Sequence, residues 1–160
     1  METQTHQFLF QKFKSSKELS EIQQTLIQKA LETALNAHAP YSKFKVGAAL
    51  LLSNGEIITG NNQENAAYPS GLCAERVAVF YAKSRYPKEK ILKIAITTVS
   101  EHQKSVAPPF PCGSCRQVLI EYELEDQQPV ELILRGENDE VYMIHSVADI
   151  LPFAFNESYL

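Results

Sequence analysis

Two short cysteine motifs stand at the starts of two predicted helices, and a strand pattern lies between them. The first motif is Cys73-Ala74-Glu75-Arg76, and the second is Pro111-Cys112-Gly113-Ser114-Cys115-Arg116-Gln117. The segment between them, from Ile91 to Val99, is a mostly apolar run that is typical of a buried strand. A helix on each side of such a strand indicates an α/β domain whose helices cover a sheet.

The remaining segments continue this alternation. Apolar residues at helical spacing predict a helix that begins near Ser20, a capping residue, and ends at Pro40. Asn54-Gly55 supplies the positive φ angles of a tight turn and predicts a hairpin. We therefore expect one domain over residues 1–160, a three-layer α/β/α fold with one mixed five-stranded sheet. The other predicted elements are strands at 46–52, 57–59, 130–134 and 141–144, helices at 73–86 and 112–123, and a short tail helix from Ser146.

Residues 1–19 form an N-terminal extension that this pattern does not include. Phe8, Phe10 and, out of step, Phe13 stand among polar residues. Such a segment is either an edge strand or a stretch that lies over a neighbouring element, and the sequence does not choose between them.

The charge balance argues against several classes of partner. The 160 residues contain 15 Lys and Arg against 19 Asp and Glu, which gives a formal net charge of -4. Proteins that bind a polynucleotide usually present a basic face, because counterion release drives that binding. No secretory signal and no run long enough to span a bilayer is evident. We expect no nucleic-acid partner, no membrane association and a cytoplasmic location.

The three cysteines indicate metal binding or redox chemistry. An odd number cannot form a closed disulfide framework, and a cytosolic location disfavours disulfides. Cys112 and Cys115 alone fit a redox dithiol, a structural zinc site and a catalytic zinc site about equally well. Cys73 alone reads as a buried apolar residue. The positive end of a helix stabilises a thiolate, which is the form of cysteine that zinc binds. Three thiolates would fill three corners of a tetrahedral zinc site, and Glu75 is close enough to contact a water molecule at the fourth. This combination favours a catalytic zinc site.

Arg76 has two interpretations that spacing does not separate. A zinc ion with three thiolates carries a net negative charge, and a neighbouring cation would offset it. Arg76 is the candidate for this charge-balancing role, but an ordinary surface arginine fits the spacing equally well.

The two motifs resemble those of the cytidine deaminase family, in particular its homotetrameric members that act on free nucleosides through a three-cysteine zinc site. The resemblance extends over residues 22–156. It includes Pro40-Tyr41-Ser42-Lys43-Phe44-Lys45-Val46-Gly47-Ala48 before the first strand and Asn62-Gln63-Glu64-Asn65-Ala66-Ala67-Tyr68 after the hairpin. Pro152 and Phe155 resemble the C-terminal pattern of the family.

The resemblance implies one zinc ion per chain and hydrolysis of cytidine and deoxycytidine to uridine and deoxyuridine with release of ammonia, a reaction of pyrimidine salvage. Glu75 would move the protons, and the zinc ligands would be Cys73, Cys112 and Cys115. It also implies a nucleoside site shared between subunits of a homotetramer. The implied substrate-binding residues are Phe44 against the pyrimidine, Asn62 and Glu64 at the ribose, the Ala74 N–H at the ring carbonyl, and Ala66, Tyr68 and Phe155 reaching a neighbouring subunit.

Without the resemblance, Asn62 and Glu64 read as a polar loop and Phe44 as a core residue. Three competing functions remain open at this point. The first is a related deaminase that acts on a nucleotide, a free base, a modified nucleoside or a base in nucleic acid. The second is a zinc-stabilised structural module, for which His102 is the nearest histidine to serve as a fourth ligand. The third is a thiol oxidoreductase that uses Cys112 and Cys115.

The four histidines and Gln117 have no function that the sequence defines. His6, His38, His102 and His145 fit surface or structural positions, and Gln117 is expected to orient a thiolate or a carbonyl group.

Overall fold

The structure is a computed structural model and describes residues 1–100 and 107–160. Within these residues, three α-helices and six strands form one mixed sheet in the order β1-β6-β5-β4-β2-β3. The strands β4 and β5 are parallel and are connected through α3, and all other neighbouring strands are antiparallel. The elements are β1 Phe10–Phe13, α1 Glu21–Ala34, β2 Phe44–Leu52, β3 Ile57–Asn61, α2 Ala74–Arg85, β4 Ile91–Ser100, α3 Gly113–Asp126, β5 Glu131–Arg135 and β6 Val141–Ile144.

The sheet has six strands, so the predicted count of five was wrong. The additional strand is β1, which pairs antiparallel with β6 so that Phe10 lies opposite Ile144 and Phe13 opposite Val141. The sequence did not clearly predict this strand, because the side chains of an edge strand are mostly exposed and give no pattern of buried apolar residues. Its pairing with β6 is made by backbone hydrogen bonds, which do not depend on residue type. Of the two interpretations of the extension, the edge strand is confirmed.

The three predicted layers are confirmed. On one face of the sheet, Leu26, Ile27 and Ala30 of α1 pack against Ala49, Ala95 and Ile133 of the strands. On the other face, α2 and α3 pack against a larger set of apolar strand residues. Both faces of β2, β4 and β5 are therefore buried, which explains their continuous apolar character.

The predicted end of the first helix needs correction, whereas the short tail helix after Ser146 is observed. The first helix begins after Ser20, as predicted, but it ends at Ala34 and not at Pro40. After turn hydrogen bonds from Asn36 and Ala37 N–H, the His38 N–H donates to the carbonyl oxygen of Asn62 at 3.1 Å, which ties this stretch to the segment after β3. The tail helix is a 3-10 turn, Val147–Ile150, which the Ser146 hydroxyl caps by accepting from Ala148 N–H.

Gly60 on β3 brings α2 close to the sheet. A Cβ atom at Gly60 would lie 2.5 Å from Ala78 N and 2.6 Å from Ala74 O, so a side chain here would displace the first turns of α2. The first residue of α2 is Ala74, directly after Cys73. The position of the first cysteine motif therefore depends on the absence of a side chain at Gly60.

Glu123 is a buried carboxylate at the C-terminal part of α3. It accepts hydrogen bonds from the N–H groups of Val130, Val147 and Ala148 and from the Ser146 hydroxyl, at 2.6 to 3.1 Å. These contacts fix the chain after α3 and the 3-10 turn to the same helix that begins with the second cysteine motif.

Residues 1–100 and 107–160 contain no helix that has both the length and the apolar composition required to cross a membrane.

Candidate active site

The three cysteine sulfurs lie together at the starts of α2 and α3. Cys73 and Cys112 occupy the N-cap positions of the two helices, and Cys115 lies one turn into α3. The Sγ atom of Cys112 is 3.7 Å from that of Cys73 and 3.5 Å from that of Cys115. All three sulfurs lie within 4.8 Å of one another. The predicted convergence of the two motifs is therefore observed.

This arrangement fits a tetrahedral zinc ion. Zn–S bonds of about 2.3 Å hold two thiolates of a tetrahedron about 3.8 Å apart, close to the two shorter separations in this cluster. Among the described residues, the group able to hold a metal consists of these three cysteines alone. His102, the proposed fourth ligand of a structural site, lies outside the described residues, and His6, His38 and His145 are exposed.

The cluster stabilises a thiolate. Hydrogen bonding from Cys115 and from Arg76 lowers the pKa of Cys73 to about 5, although partial burial opposes the shift. The same contact with Cys73, together with burial, raises the pKa of the Cys115 thiol. The two opposite shifts describe a thiol that donates to a thiolate, and zinc binding to such a cluster would release the remaining protons.

Arg76 lies beside the cluster as the charge-balancing interpretation requires. Its Nη2 donates to the Cys73 Sγ at 3.6 Å, and this contact raises the pKa of the guanidinium. Arg76 is partly buried and lines the same cavity as Cys73. The surface-arginine interpretation does not account for this contact.

Glu75 is the buried acid of the site. Its side chain is 5% exposed, and burial raises the pKa of its carboxyl group to about 7. It follows Cys73 by two residues on the first turn of α2 and lines the cavity next to the cysteines. A carboxyl group with a pKa near neutrality can both accept and donate a proton under physiological conditions. We call Cys73, Cys112, Cys115 and Glu75 the thiol end; Cys73, Cys112 and Glu75 line the cavity, and Cys115 is fully buried.

A cavity of about 870 Å³ extends from the thiol end to the segments around β2 and β3. Its volume is in the range of small-molecule sites. Among the predicted site residues it is lined by Phe44, Asn62, Glu64, Tyr68, Cys73, Ala74, Glu75, Arg76 and Cys112. We call Ser42, Phe44, Asn62 and Glu64 the rim; they line this cavity and belong to the segments around β2 and after β3.

Glu64 is held by the loop before β2. Its carboxylate accepts from the N–H groups of Tyr41 and Ser42 at 2.9 and 3.3 Å, and a short hydrogen bond joins it to the Ser42 hydroxyl. Hydrogen bonding by Ser42 and by these N–H groups lowers the pKa of Glu64 despite some desolvation. Glu64 therefore presents a fixed negative charge to the cavity at neutral pH.

Asn62 connects β2 to the segment that follows β3. Its Oδ1 accepts from Val46 N–H at 2.7 Å, and its Nδ2 donates to the Phe44 carbonyl at 3.0 Å. The amide thereby fixes the backbone of Phe44, a residue that is 37% exposed and lines the cavity. Without the family resemblance, Phe44 was interpreted as a core residue. Its exposure argues against that interpretation.

The residues expected to reach a neighbouring subunit lie at the surface. Tyr68 and Phe155 are 78% and 57% exposed, and Ala66 is also exposed. Tyr68 lines the cavity of its own chain, but Ala66 and Phe155 do not. The Ala74 side chain is buried, and its N–H belongs to the first turn of α2, where helical N–H groups lack partners within the helix.

Several contacts that hold this site are not evident from the sequence. Arg116 donates to the carbonyl oxygens of Pro111 and Ile150, each at 2.8 Å, and so fixes the residue before Cys112 to the tail. Gln117 Nε2 donates to the Phe155 carbonyl at 2.9 Å, so of its two predicted partners it takes a carbonyl. Phe110, in the proline-rich loop, also lines the cavity. The one indication of the Arg116 and Gln117 contacts in the sequence was that these two polar residues directly follow Cys115.

Comparison with known proteins gives a consistent result. Residues 20–128 match the family profile described as the cytidine and deoxycytidylate deaminase zinc-binding region. A cytidine deaminase of Halalkalibacterium halodurans is 39% identical over 82% of this chain and 92% of its own length. One from Sporosarcina psychrophila is 40% identical over 84% of this chain and 92% of its own.

Solved structures agree with the sequence comparison. The crystal structure of cytidine deaminase from Burkholderia pseudomallei superposes with a TM-score of 0.73 at 36% identity, and the match covers 86% of this chain and all of that chain. The cytidine deaminase of Mycobacterium tuberculosis superposes with a TM-score of 0.65 at 32% identity, over 82% of this chain and 95% of that one.

Proposed function

The chain belongs to the family of cytidine and deoxycytidylate deaminases with a zinc-binding region, and on this premise we propose that it hydrolyses cytidine and deoxycytidine to uridine and deoxyuridine with release of ammonia. The observation that carries the proposal is the thiol end, where three sulfurs within 4.8 Å of one another adjoin a buried carboxyl group in one cavity. A redox dithiol needs neither Cys73 nor Glu75, and the zinc-dependent reaction uses both.

In this proposal Cys73, Cys112 and Cys115 hold one zinc ion per chain. Zinc at such a site supplies a Lewis acid that lowers the pKa of water toward neutrality. Arg76 offsets the excess negative charge of the three thiolates through its contact with Cys73.

Glu75 transfers the protons. Its carboxylate accepts a proton from the attacking water and delivers it to the ring nitrogen beside the reacting carbon. It then takes the second proton from the hydroxyl group of the tetrahedral adduct and delivers it to the amino group. The carbonyl forms as the C–N bond breaks and ammonia leaves, so the same group acts as a base and as an acid. The pKa of about 7, which burial produces, suits both roles.

The rim binds the nucleoside. Phe44 packs against the pyrimidine, the Ala74 N–H meets the ring carbonyl, and Asn62 and Glu64 bind the ribose hydroxyls. Glu64 still has hydrogen-bonding capacity, because a carboxylate offers about four lone-pair sites and this one receives three contacts. A fixed carboxylate beside the sugar would repel a phosphate, so we propose free nucleosides as substrates and not nucleotides.

We further propose that the site is completed by a neighbouring subunit of a homotetramer. Ala66, Tyr68 and Phe155 are exposed in the single chain, which supports their role as residues of a shared site. Activity should then fall when dilution dissociates the subunits. Full activity of a sample that sedimentation shows to be monomeric would contradict this part of the proposal.

The test of the function is a paired measurement on the purified chain. We expect loss of cytidine absorbance, release of ammonia and about one zinc per chain by elemental analysis. Deoxycytidylate is the matched comparison, and turnover of the nucleotide in preference to the nucleoside would overturn the substrate assignment. One zinc without turnover of either would favour a structural metal, and a zinc-free protein without turnover would favour the dithiol.

A further inference from the structure

The N-terminal extension precedes the stretch that matches the family profile, which begins at residue 20. It is nevertheless fixed to the sheet through the pairing of β1 with β6. Behind β1, the hydroxyl groups of Ser15 and Ser16 donate to the Asp139 carboxylate at 2.6 and 2.8 Å. The extension therefore has defined side-chain contacts, and the proposed reaction gives it no role.

The side chains of β1 alternate between the two faces of the sheet. Phe13 packs into the apolar cluster beneath α1. Phe10 and Lys12 lie on the other face, where both contact Tyr142 of β6. The ring centroid of Phe10 is 5.1 Å from that of Tyr142, and Lys12 Nζ is 5.5 Å from the same ring.

Tyr142 in turn contacts the wall of the cavity. Its ring centroid lies 6.2 Å from that of Phe110, at an interplanar angle of 60°. Phe110 lines the cavity and precedes Cys112 by two residues, so it belongs to the loop that leads into the thiol end. A continuous series of three aromatic rings therefore runs from β1 through Tyr142 to Phe110.

We propose that Phe110 is a substrate-contacting residue of the cavity wall and that Phe10 is a positioning residue that holds Phe110 through Tyr142. The inference rests on the proposed function, because the substrate that Phe110 would contact is a pyrimidine nucleoside. An aromatic side chain gains from contact with a planar ring only while it is held in a suitable orientation. Phe110 is 46% exposed, and its ring contacts that of Tyr142, which restrains its orientation.

The expected kinetic effect is on binding. Removal of either ring weakens contact with the base and leaves Glu75 and the cysteines in place, so KM should rise and kcat should change little. We expect Phe110→Ala to raise KM for cytidine about tenfold and Phe10→Ala about threefold, in the range of single aromatic contacts. Because Phe10 acts on the substrate only by holding Phe110, Phe10→Ala should add almost nothing to KM in the Phe110→Ala background.

Phe13→Ala is the matched control, because Phe13 lies on the same strand but faces α1. It should lower the melting temperature and leave KM unchanged. A rise in KM for Phe13→Ala equal to that for Phe10→Ala would overturn the proposal, since it would show a general effect of loosening β1. Additive effects of Phe10→Ala and Phe110→Ala would also overturn it.

A second readout separates this inference from the proposed function. With 4-fluorophenylalanine at position 110, Phe10→Ala should shift or broaden the fluorine resonance and Phe13→Ala should not. If the wild-type chain does not turn over cytidine, the proposed function fails, yet the fluorine signal still tests whether Phe10 positions Phe110. An unchanged fluorine resonance in Phe10→Ala would contradict the positioning role.

Discussion

The thiol end and the rim are built in different ways, although residues of both line one cavity. The thiol end is formed by the first turns of two helices, and Glu75 and Cys115 within it are buried. The rim is half-buried or exposed and is held by hydrogen bonds between side chains and the backbone of other segments. The thiol end therefore has its geometry fixed by helix packing, and the rim has its geometry fixed by a few polar contacts.

This difference assigns separate functions to the two regions. Metal binding and proton transfer require groups that stay in place, which the thiol end provides through two helix starts and the buried Glu75 and Cys115. Recognition of a sugar requires polar groups that remain accessible to a ligand, which the rim provides. Changes at the thiol end should abolish the reaction, and changes at the rim should mainly weaken binding.

The largest effect is expected for Cys115→Ala. The variant should lose zinc, and kcat should fall by at least about 10³-fold because water at the site would no longer be activated. Zinc content by elemental analysis and turnover of cytidine are measured together. Ser114→Ala, at an exposed neighbouring position, is the control and should retain one zinc per chain. Stoichiometric zinc in Cys115→Ala would remove this residue from the ligand set.

A smaller effect is expected for Glu64→Gln at the rim. The substitution keeps the shape of the side chain but removes a charged hydrogen-bond acceptor, so KM for cytidine should rise about 10- to 100-fold. The zinc content should remain that of the wild type. Loss of zinc in this variant would contradict the separate functions of the two regions, because a change at the rim would then affect the metal site.

Ser42→Ala should have a weaker effect in the same direction. The Ser42 hydroxyl is one of three donors to Glu64, and its loss should raise KM about fivefold. In the Glu64→Gln background the same change should have less effect, because its role is to position the carboxylate. Equal effects of Ser42→Ala in both backgrounds would show that Ser42 acts by another route.

The sequence predicts the thiol end better than it predicts the rim. Cys73, Glu75, Cys112 and Cys115 were found because each motif is local and a helix start converts spacing directly into geometry. The contacts of Asn62 and Glu64 join residues 16 to 23 positions apart, as in Asn62 with Val46 and Tyr41 with Glu64, and no local pattern reports them. The roles of the rim residues came from the family resemblance and not from spacing.

The fold shows a similar division. Buried strands such as β4 were predicted because their apolar character follows from coverage on both faces. The edge strand β1 was left open because pairing at a sheet edge depends on the backbone and on a few contacts such as that of Phe10 with Tyr142. The end of α1 was misplaced because the contact between His38 and Asn62 is tertiary.

The smallest expected effect concerns Asp139, which lies outside both regions. Burial opposes ionisation of this carboxyl group, but hydrogen bonds from Ser15, Ser16 and Arg135 outweigh it and lower the pKa to about 2 from an ordinary 3.8. The folded protein holds the ionised form, so its stabilising contribution is complete above about pH 4 and is lost as the pH falls toward 2. Asp139→Asn should therefore show a shallower loss of unfolding free energy over this window, measured by denaturant titration. Parallel pH dependence of the two proteins would contradict the assignment.

The most direct test of the account is the effect of Glu75→Gln on zinc content and turnover in one preparation. Glutamine keeps the size of the side chain but cannot transfer the proton. We predict about one zinc per chain, unchanged binding of uridine and a fall in kcat of about 10²- to 10⁴-fold. Substantial turnover in the zinc-loaded variant would contradict the central claim that the buried Glu75 carboxyl group performs the proton transfer.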